Sequence, residues 1–284
     1  MQLGGRLRRS LGAVARVLRE GFFGTVRTWH LWWYVYAPTE AVNFLAGLAS
    51  WYFFSVYAAG LRAGEVFEYL AVGLLVSPVF MFAVENPYRY TRALYAGWFS
   101  SYGYRLKLRD YYRMAGVSLL EYMASRFIES FLFLAVRFAA YAAVLGAVFG
   151  IWIPLDARLL DLAAVLALGF LAMLPIGFLL AATYALYYNM PQVVVNPFVW
   201  GFSILASIVC GVYFPPGLLP GPLRALSAVI PETYAVEAVR AVLLGGAGLP
   251  GVWDRVAVLA AAALLNLPAV AVYRWAVSWI DRRV

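Results

Sequence analysis

The stretch GVYFPPGLLPGPLRALSAVI (residues 211–230), followed by PETYAVEAVRAVLLGG (residues 231–246), decides how the chain is read. It lies between two long apolar runs. Pro215, Pro216, Pro220 and Pro222 prevent either run from continuing through it as a helix. Pro231 suits the first turn of a new helix, where its missing N–H costs nothing. Gly245 and Gly246 suit that helix's exit. The segment reads as two short helices packed back against a membrane bundle; a plain outer loop carrying one helix is the alternative.

Composition supplies the bundle. Hydrophobic residues make up 64% of the 284 and charged residues 13%, against roughly 45–50% and 25% in soluble domains. Mean hydropathy is +0.79, which puts the chain in the membrane class. A single cysteine, Cys210, excludes an internal disulfide and a cysteine-based zinc cluster, and a single histidine, His30, speaks against a histidine metal site.

Outward from the opening stretch, six apolar runs are long enough to span: Ala41–Ala59, Val66–Val84, and about 126–152, 162–187, 193–213 and 256–277. The first two have 19 residues each, ~28 Å as helix, close to the thickness of a hydrocarbon core. Before them, residues 3–22 place Leu3, Leu7, Leu11, Val14, Ala15, Leu18 and Phe22 on one helical face. Arg8, Arg9, Arg16 and Arg19 lie on the other, a pattern suited to lying flat on an anionic leaflet. Trp29, Trp32, Trp33, Tyr34 and Tyr36 form an interfacial belt, and Pro38 breaks the chain before the first span. The expected fold is all-α and polytopic: six transmembrane helices in a single membrane domain over 1–284, with an amphipathic, interfacial start over 1–37. No soluble domain, internal repeat or disordered linker is evident.

Sixteen of the 22 basic residues fall in the N-terminal segment, after the second run and at the C-terminus; five fall on the other side, and Arg137 lies within the third run. Positive charge stays cytoplasmic, so both termini should face the cytoplasm and the 214–250 segment should face outward. This placement accounts for the net charge of +8 without nucleic acid.

The largest hydrophilic region, 85–125, is then cytoplasmic. Tyr104, Leu108, Tyr111, Tyr112 and Ala115 share one face of an expected helix, with Lys107, Arg109, Asp110 and Arg113 elsewhere. Such a helix can lie along the membrane and plug into a cytoplasmic partner; a solvated basic loop is the alternative. Polar and small residues inside the spans are expensive in lipid and face protein or a cavity. Asn43, Gly47 and Ser50 mark one face of the first span; Ser203, Ser207 and Gly211 recur every fourth residue in the fifth. They read either as packing within one subunit or as a seam between two subunits beside a cavity. Arg137 reads as snorkelling to the interface, ahead of an ion pair with Glu129. Glu237 and Arg240, three apart on the helix opened by Pro231, can meet on one face, with Tyr234 extending the stripe.

No phosphate-cradling loop is present: GxxxxGK[ST] needs a Lys after Gly, and the only lysine, Lys107, follows Leu106. The lone His and lone Cys lie far apart, and no carboxylate pair has a recognisable spacing.

Pro216, Pro220, Leu223, Leu226, Pro231, Tyr234, Glu237, Arg240, Leu243, Leu244, Gly245 and Gly246 resemble a pattern that precedes the last transmembrane helix in permease subunits of type-2 ABC exporters. The resemblance extends to the amphipathic start, the six spans and the cytoplasmic helix between spans two and three. It implies that 214–250 forms re-entrant helices between spans five and six. It also implies that the helix with Tyr104, Lys107, Leu108, Arg109, Tyr111, Tyr112 and Arg113 couples to an ATPase, with Tyr90–Phe99 as the competing segment. Gly103-Tyr104-Arg105-Leu106 departs from the family's Gly-Thr-Leu-Glu string, while Glu85 matches a Glu common at the inner end of the second span. By the same resemblance the chain would be a non-enzymatic membrane subunit in the cell membrane, with no cofactor of its own. Two permease chains, identical or different, would enclose the pathway, and separate ATPase chains would bind ATP-Mg. An intramembrane lipid- or glycan-processing enzyme and a passive channel are the alternatives.

The charge asymmetry makes the topology testable. A cysteine placed by Gly248→Cys should react with an impermeant thiol reagent on intact cells, and one placed by Arg283→Cys only after permeabilisation. The reverse pattern would invert the arrangement.

Overall fold

The structure is a computed structural model that describes residue 19 and residues 32–59, 63–96, 98–101, 104–114, 116–150, 152–153, 156, 158–187 and 192–282. The amphipathic helix expected over 3–22, and the aromatic belt as far as His30, lie outside the described residues apart from Arg19.

The described chain is helical except for one hairpin. A π-helical turn, Trp32–Tyr36, runs directly into α1, Ala37–Ala59. Pro38 therefore does not break the chain as expected; it sits in the first turn of α1, directly after the π-helical turn. Next come α2, Ala63–Ala96, the strands β1, Trp98–Ser101, and β2, Tyr104–Lys107, and α3, Leu108–Met114. The long helices α4, Leu119–Phe149, α5, Arg158–Leu186, and α6, Gln192–Val209, follow. A 3-10 turn at Pro216–Leu218 leads to α7, Gly221–Val229, and α8, Pro231–Leu243. A second 3-10 turn, Leu249–Val252, leads to α9, Trp253–Leu264, and α10, Asn266–Asp281.

Among the described residues, four helical stretches are long and apolar enough to cross a membrane: Val66–Ala96, Glu121–Ala147, Arg158–Leu186 and Leu249–Asp281. The protein thus has the character of a helical membrane protein. Helix α2, with 34 residues, spans ~51 Å, which exceeds the ~30 Å of a hydrocarbon core. It carries on through Pro87 rather than ending at Val84, so of the segment Tyr90–Phe99 the part up to Ala96 is the end of this helix and Trp98–Phe99 belongs to β1.

The core forms where α2 and α5 run side by side. Phe80, Ala83, Val84, Val165, Ala172 and Met173 are buried there. Gly177 makes the approach possible: a Cβ at this position would collide with the Ala83 and Val84 carbonyl oxygens and with Pro87. Gly169 gives the same clearance to Phe80 and Ala235. Small residues of this kind let helix backbones close up where lipid supplies no hydrophobic drive. Helix α4 is defined by its ends. Ser118 and Glu121 form a reciprocal capping box, and Gly150 closes the helix in the left-handed region at φ 70°.

At the end carrying the hairpin, the C-terminus of α10 is tied to α2 and α3. Asp281 accepts from the Tyr95 hydroxyl at 2.9 Å and pairs with Arg109 at 2.5 Å. Deeper in, Thr91 and Tyr273 hydroxyls meet at 2.7 Å between α2 and α10.

Gly177→Ala should lower stability by ~1–3 kcal/mol, the range for forcing extra volume into a packed core. Thermal unfolding in detergent measures it; an unchanged midpoint would contradict the close α2–α5 approach.

Candidate functional site

Two features stand out above the hairpin: a cavity between the helices, and a buried arginine that holds the 211–246 segment over one end of it. The cavity, about 430 Å³, lies among α1, α2, α4 and the end of α6. Asn43 and Gly47 of α1 and Ser207 of α6 line it. Ser50 does not; it is exposed, with its hydroxyl bonded back to the Ala46 carbonyl. Ser203 reaches Glu85 Oε1 at 3.1 Å. Sequence reasoning overlooked Ser77, Asn86, Arg89 and Ser130 on the wall. A search for every polar side chain within an apolar run would have found Ser77 and Ser130.

The two guanidiniums on the wall each have a carboxylate partner. Arg89 pairs with Glu85 at 2.5 Å. Arg137 pairs with Glu40 of α1 at 2.7 Å, and the Tyr141 hydroxyl joins both. Arg137 is therefore not the partner of Glu129, which pairs with Arg126 instead. The polar strip offers hydroxyl, amide and paired ionic groups beside Phe44, Phe82, Phe133 and Tyr213. Such a wall suits a solute with both polar and apolar parts rather than a bare ion.

The opening stretch of the sequence forms the other feature. Helix α8 begins at Pro231 and ends before Gly246, which takes φ 63°. Tyr234 donates to the Ala228 carbonyl, and Thr233 to the Ser227 carbonyl, tying α8 to α7 across the Ile230 turn. Arg240 turns inward, with 8% of its surface exposed. Its guanidinium donates to the carbonyls of Gly211 at 2.6 Å, Val212 at 3.0 Å and Tyr69 at 2.8 Å, and lies 3.3 Å from the Tyr69 ring centroid. Two glycines make the clamp possible. Gly211 at φ 78° turns the chain out of α6 so that successive carbonyls face Arg240. At Gly73 a Cβ would strike both the Val212 carbonyl and the guanidinium. Burial pulls the Arg240 guanidinium down to about 10, which still leaves it charged near neutrality.

Glu237 is not Arg240's ion-pair partner, contrary to expectation. Its carboxylate faces Arg255 of α9 at 3.3 Å. The three-residue spacing permits either choice; the carbonyl cluster between α2 and α6 takes the arginine because five fixed donors match several acceptors.

At the hairpin end, the helix expected over Tyr104–Ala115 is shorter. Tyr104 and Lys107 belong to β2, paired antiparallel with β1, and the helix starts at Leu108. Pairing with β1 holds these four residues extended, so the helix begins only after them. Arg109 is turned inward to Asp281. Tyr112 packs on Tyr122 and accepts from Arg126. Asp110, Tyr111, Arg113 and Met114 are exposed on α3.

Among the described residues no three His, Cys, Asp or Glu side chains come together as a metal site. No family model matches this chain, and neither a curated protein nor a solved structure does.

Arg240→Gln should cost more than ~2 kcal/mol, because buried carbonyls then lose their donor at ~1–3 kcal/mol each. Glu237→Gln, at a partly exposed pair, should cost at most ~1 kcal/mol. A double-mutant cycle on these two residues should give a coupling below ~1 kcal/mol. A larger coupling would mean that the two side chains act on each other directly.

Proposed function

We propose that this chain is the membrane subunit of an ATP-driven exporter, in the manner of type-2 ABC permeases. Two such subunits form the pathway, and separate ATPase chains drive it. The observation that carries the reading is the 211–246 segment. Residues matching the family pattern there, Pro231, Tyr234 and Arg240 among them, fasten two short helices onto the bundle. In this reading the segment is re-entrant, α1 and α6 are the first and fifth of six spans, and both termini are cytoplasmic in the cell membrane.

The cavity of about 430 Å³ is then part of the pathway, and the polar residues Asn43 and Ser207 belong to its wall. The α3 platform is the coupling surface. Its apolar anchors are Tyr111 and Met114, because Tyr112 and Arg109 are committed to contacts within the chain. ATP binding would favour one of two cavity states by its differential affinity, which is all a ligand needs to shift an equilibrium.

The experiment uses the chain co-expressed with the ATPase from its own gene neighbourhood and reconstituted in liposomes. Tyr111→Ala with Met114→Ala should cost docking ~2 kcal/mol, roughly thirtyfold in affinity. The unfolding midpoint of the permease should stay unchanged. Wild-type affinity in the double variant would remove the coupling role from α3. ATP hydrolysis by the pure permease alone would contradict the division of labour.

A further inference from the structure

We propose that Glu232 is a proton-binding site, loaded and emptied from the cavity through Ser77, and that loss of its proton loosens the 211–246 segment from α2. This requires only the fold, not the exporter reading.

Glu232 opens α8 directly after Pro231 and is wholly buried. Its Oε1 accepts from the Ser77 hydroxyl at 3.0 Å, while Oε2 is buried without a hydrogen-bond partner. A neutral carboxyl can accept from Ser77 or donate to it through Oε1, and leaves only one uncharged oxygen, Oε2, without a partner. A carboxylate would strand charge in the interior, which is far more expensive. Ser77 also lines the cavity, so the residue bonded to the carboxyl borders that space. On release, the serine O–H turns to the cavity so that the protonated Oε1 donates to Ser77 Oγ; the carboxyl O–H bond then breaks and its proton passes to Oγ. The Ser77 proton passes in turn to water in the cavity, leaving a carboxylate behind.

The charges around the site do not neutralise it. On α8 itself, Arg240 lies eight residues along, ~12 Å of helix rise, and its donors serve backbone carbonyls. Glu237 faces Arg255 of α9, with Asp254 beside that arginine. From α5, Asp161 accepts from the Leu249 N–H, and from α7, Arg224 donates to the Gly217 carbonyl. Tyr69 of α2 lies against Arg240, and Glu68 is exposed. Among the described residues, the Ser77 hydroxyl and the Cys210 thiol stand beside the carboxyl, with Tyr213 within range of its charge. Burial, the dominant influence, pushes Glu232 up to about 8. A carboxyl held above its unfolded value supports the fold fully below about 4.5 and loses that support as pH rises through about 8.

The purified chain in lipid nanodiscs provides the test, by infrared titration and thermal unfolding from about pH 5 to about pH 9. A protonated-carboxyl carbonyl band should fade as pH rises, and Glu232→Gln should abolish it. The unfolding midpoint of the wild type should fall over the same window, and Glu232→Gln should remove that fall. Ser77→Ala should keep the band but slow its exchange with deuterated solvent. The proposal fails if no such band titrates in the wild type, if Glu232→Gln leaves band or slope intact, or if Ser77→Ala leaves the exchange rate unchanged. The wild-type band and the Ser77 variant decide the matter even where Glu232→Gln does not fold.

Discussion

One guanidinium holds the 211–246 end of the protein together. Arg240 donates to carbonyls from two separate places in the chain, Tyr69 on α2 and Gly211–Val212 beyond α6, while its own helix is α8. The Gly211 and Val212 carbonyls lie where helix α6 ends and the chain changes direction, so the local backbone cannot satisfy them, while the Tyr69 carbonyl belongs to α2. A buried cation normally seeks a carboxylate; here several dipoles take that role, and the ring of Tyr69 covers the flat face. Lysine could not substitute, because its ammonium lacks the planar fork that reaches three acceptors at once.

The second constraint is clearance. Gly73, Gly169 and Gly177 face another helix, a neighbouring carbonyl or an aromatic ring at distances no side chain could occupy. Gly73 couples this constraint to the first, since its missing Cβ leaves room for both Val212 and the arginine. Close packing around α2 therefore also determines the shape of the cavity wall, because Ser77 and Glu85 lie on the same helix as Gly73.

The helical membrane character was legible because apolar runs of spanning length leave few other solutions. Pro231 and the paired glycines marked the bounds of α8 because their backbone preferences are local. The partners of charged side chains were not legible. Arg137 meets Glu40 across 97 positions, and Glu237 meets Arg255 rather than the nearer Arg240. Helical spacing shows which neighbours are in reach, but not which acceptors the tertiary fold has left unsatisfied. The hairpin was missed for a related reason. Tyr104 shares a helical face with Leu108, Tyr111 and Tyr112, but pairing of Tyr104–Lys107 with Trp98–Ser101 overrides that preference. Ser77 and Glu232 went unremarked because each looks unexceptional alone; only the fold brings them to 3.0 Å.

The functional account stands or falls on assembly. Native mass spectrometry of the tagged chain, extracted gently from its own membrane, measures this most directly. The account predicts a complex of two permease chains with two ATP-binding chains that gains nucleotide mass when ATP is added. A chain released alone, or only with copies of itself, under conditions that preserve other membrane complexes from the same extract, would contradict it.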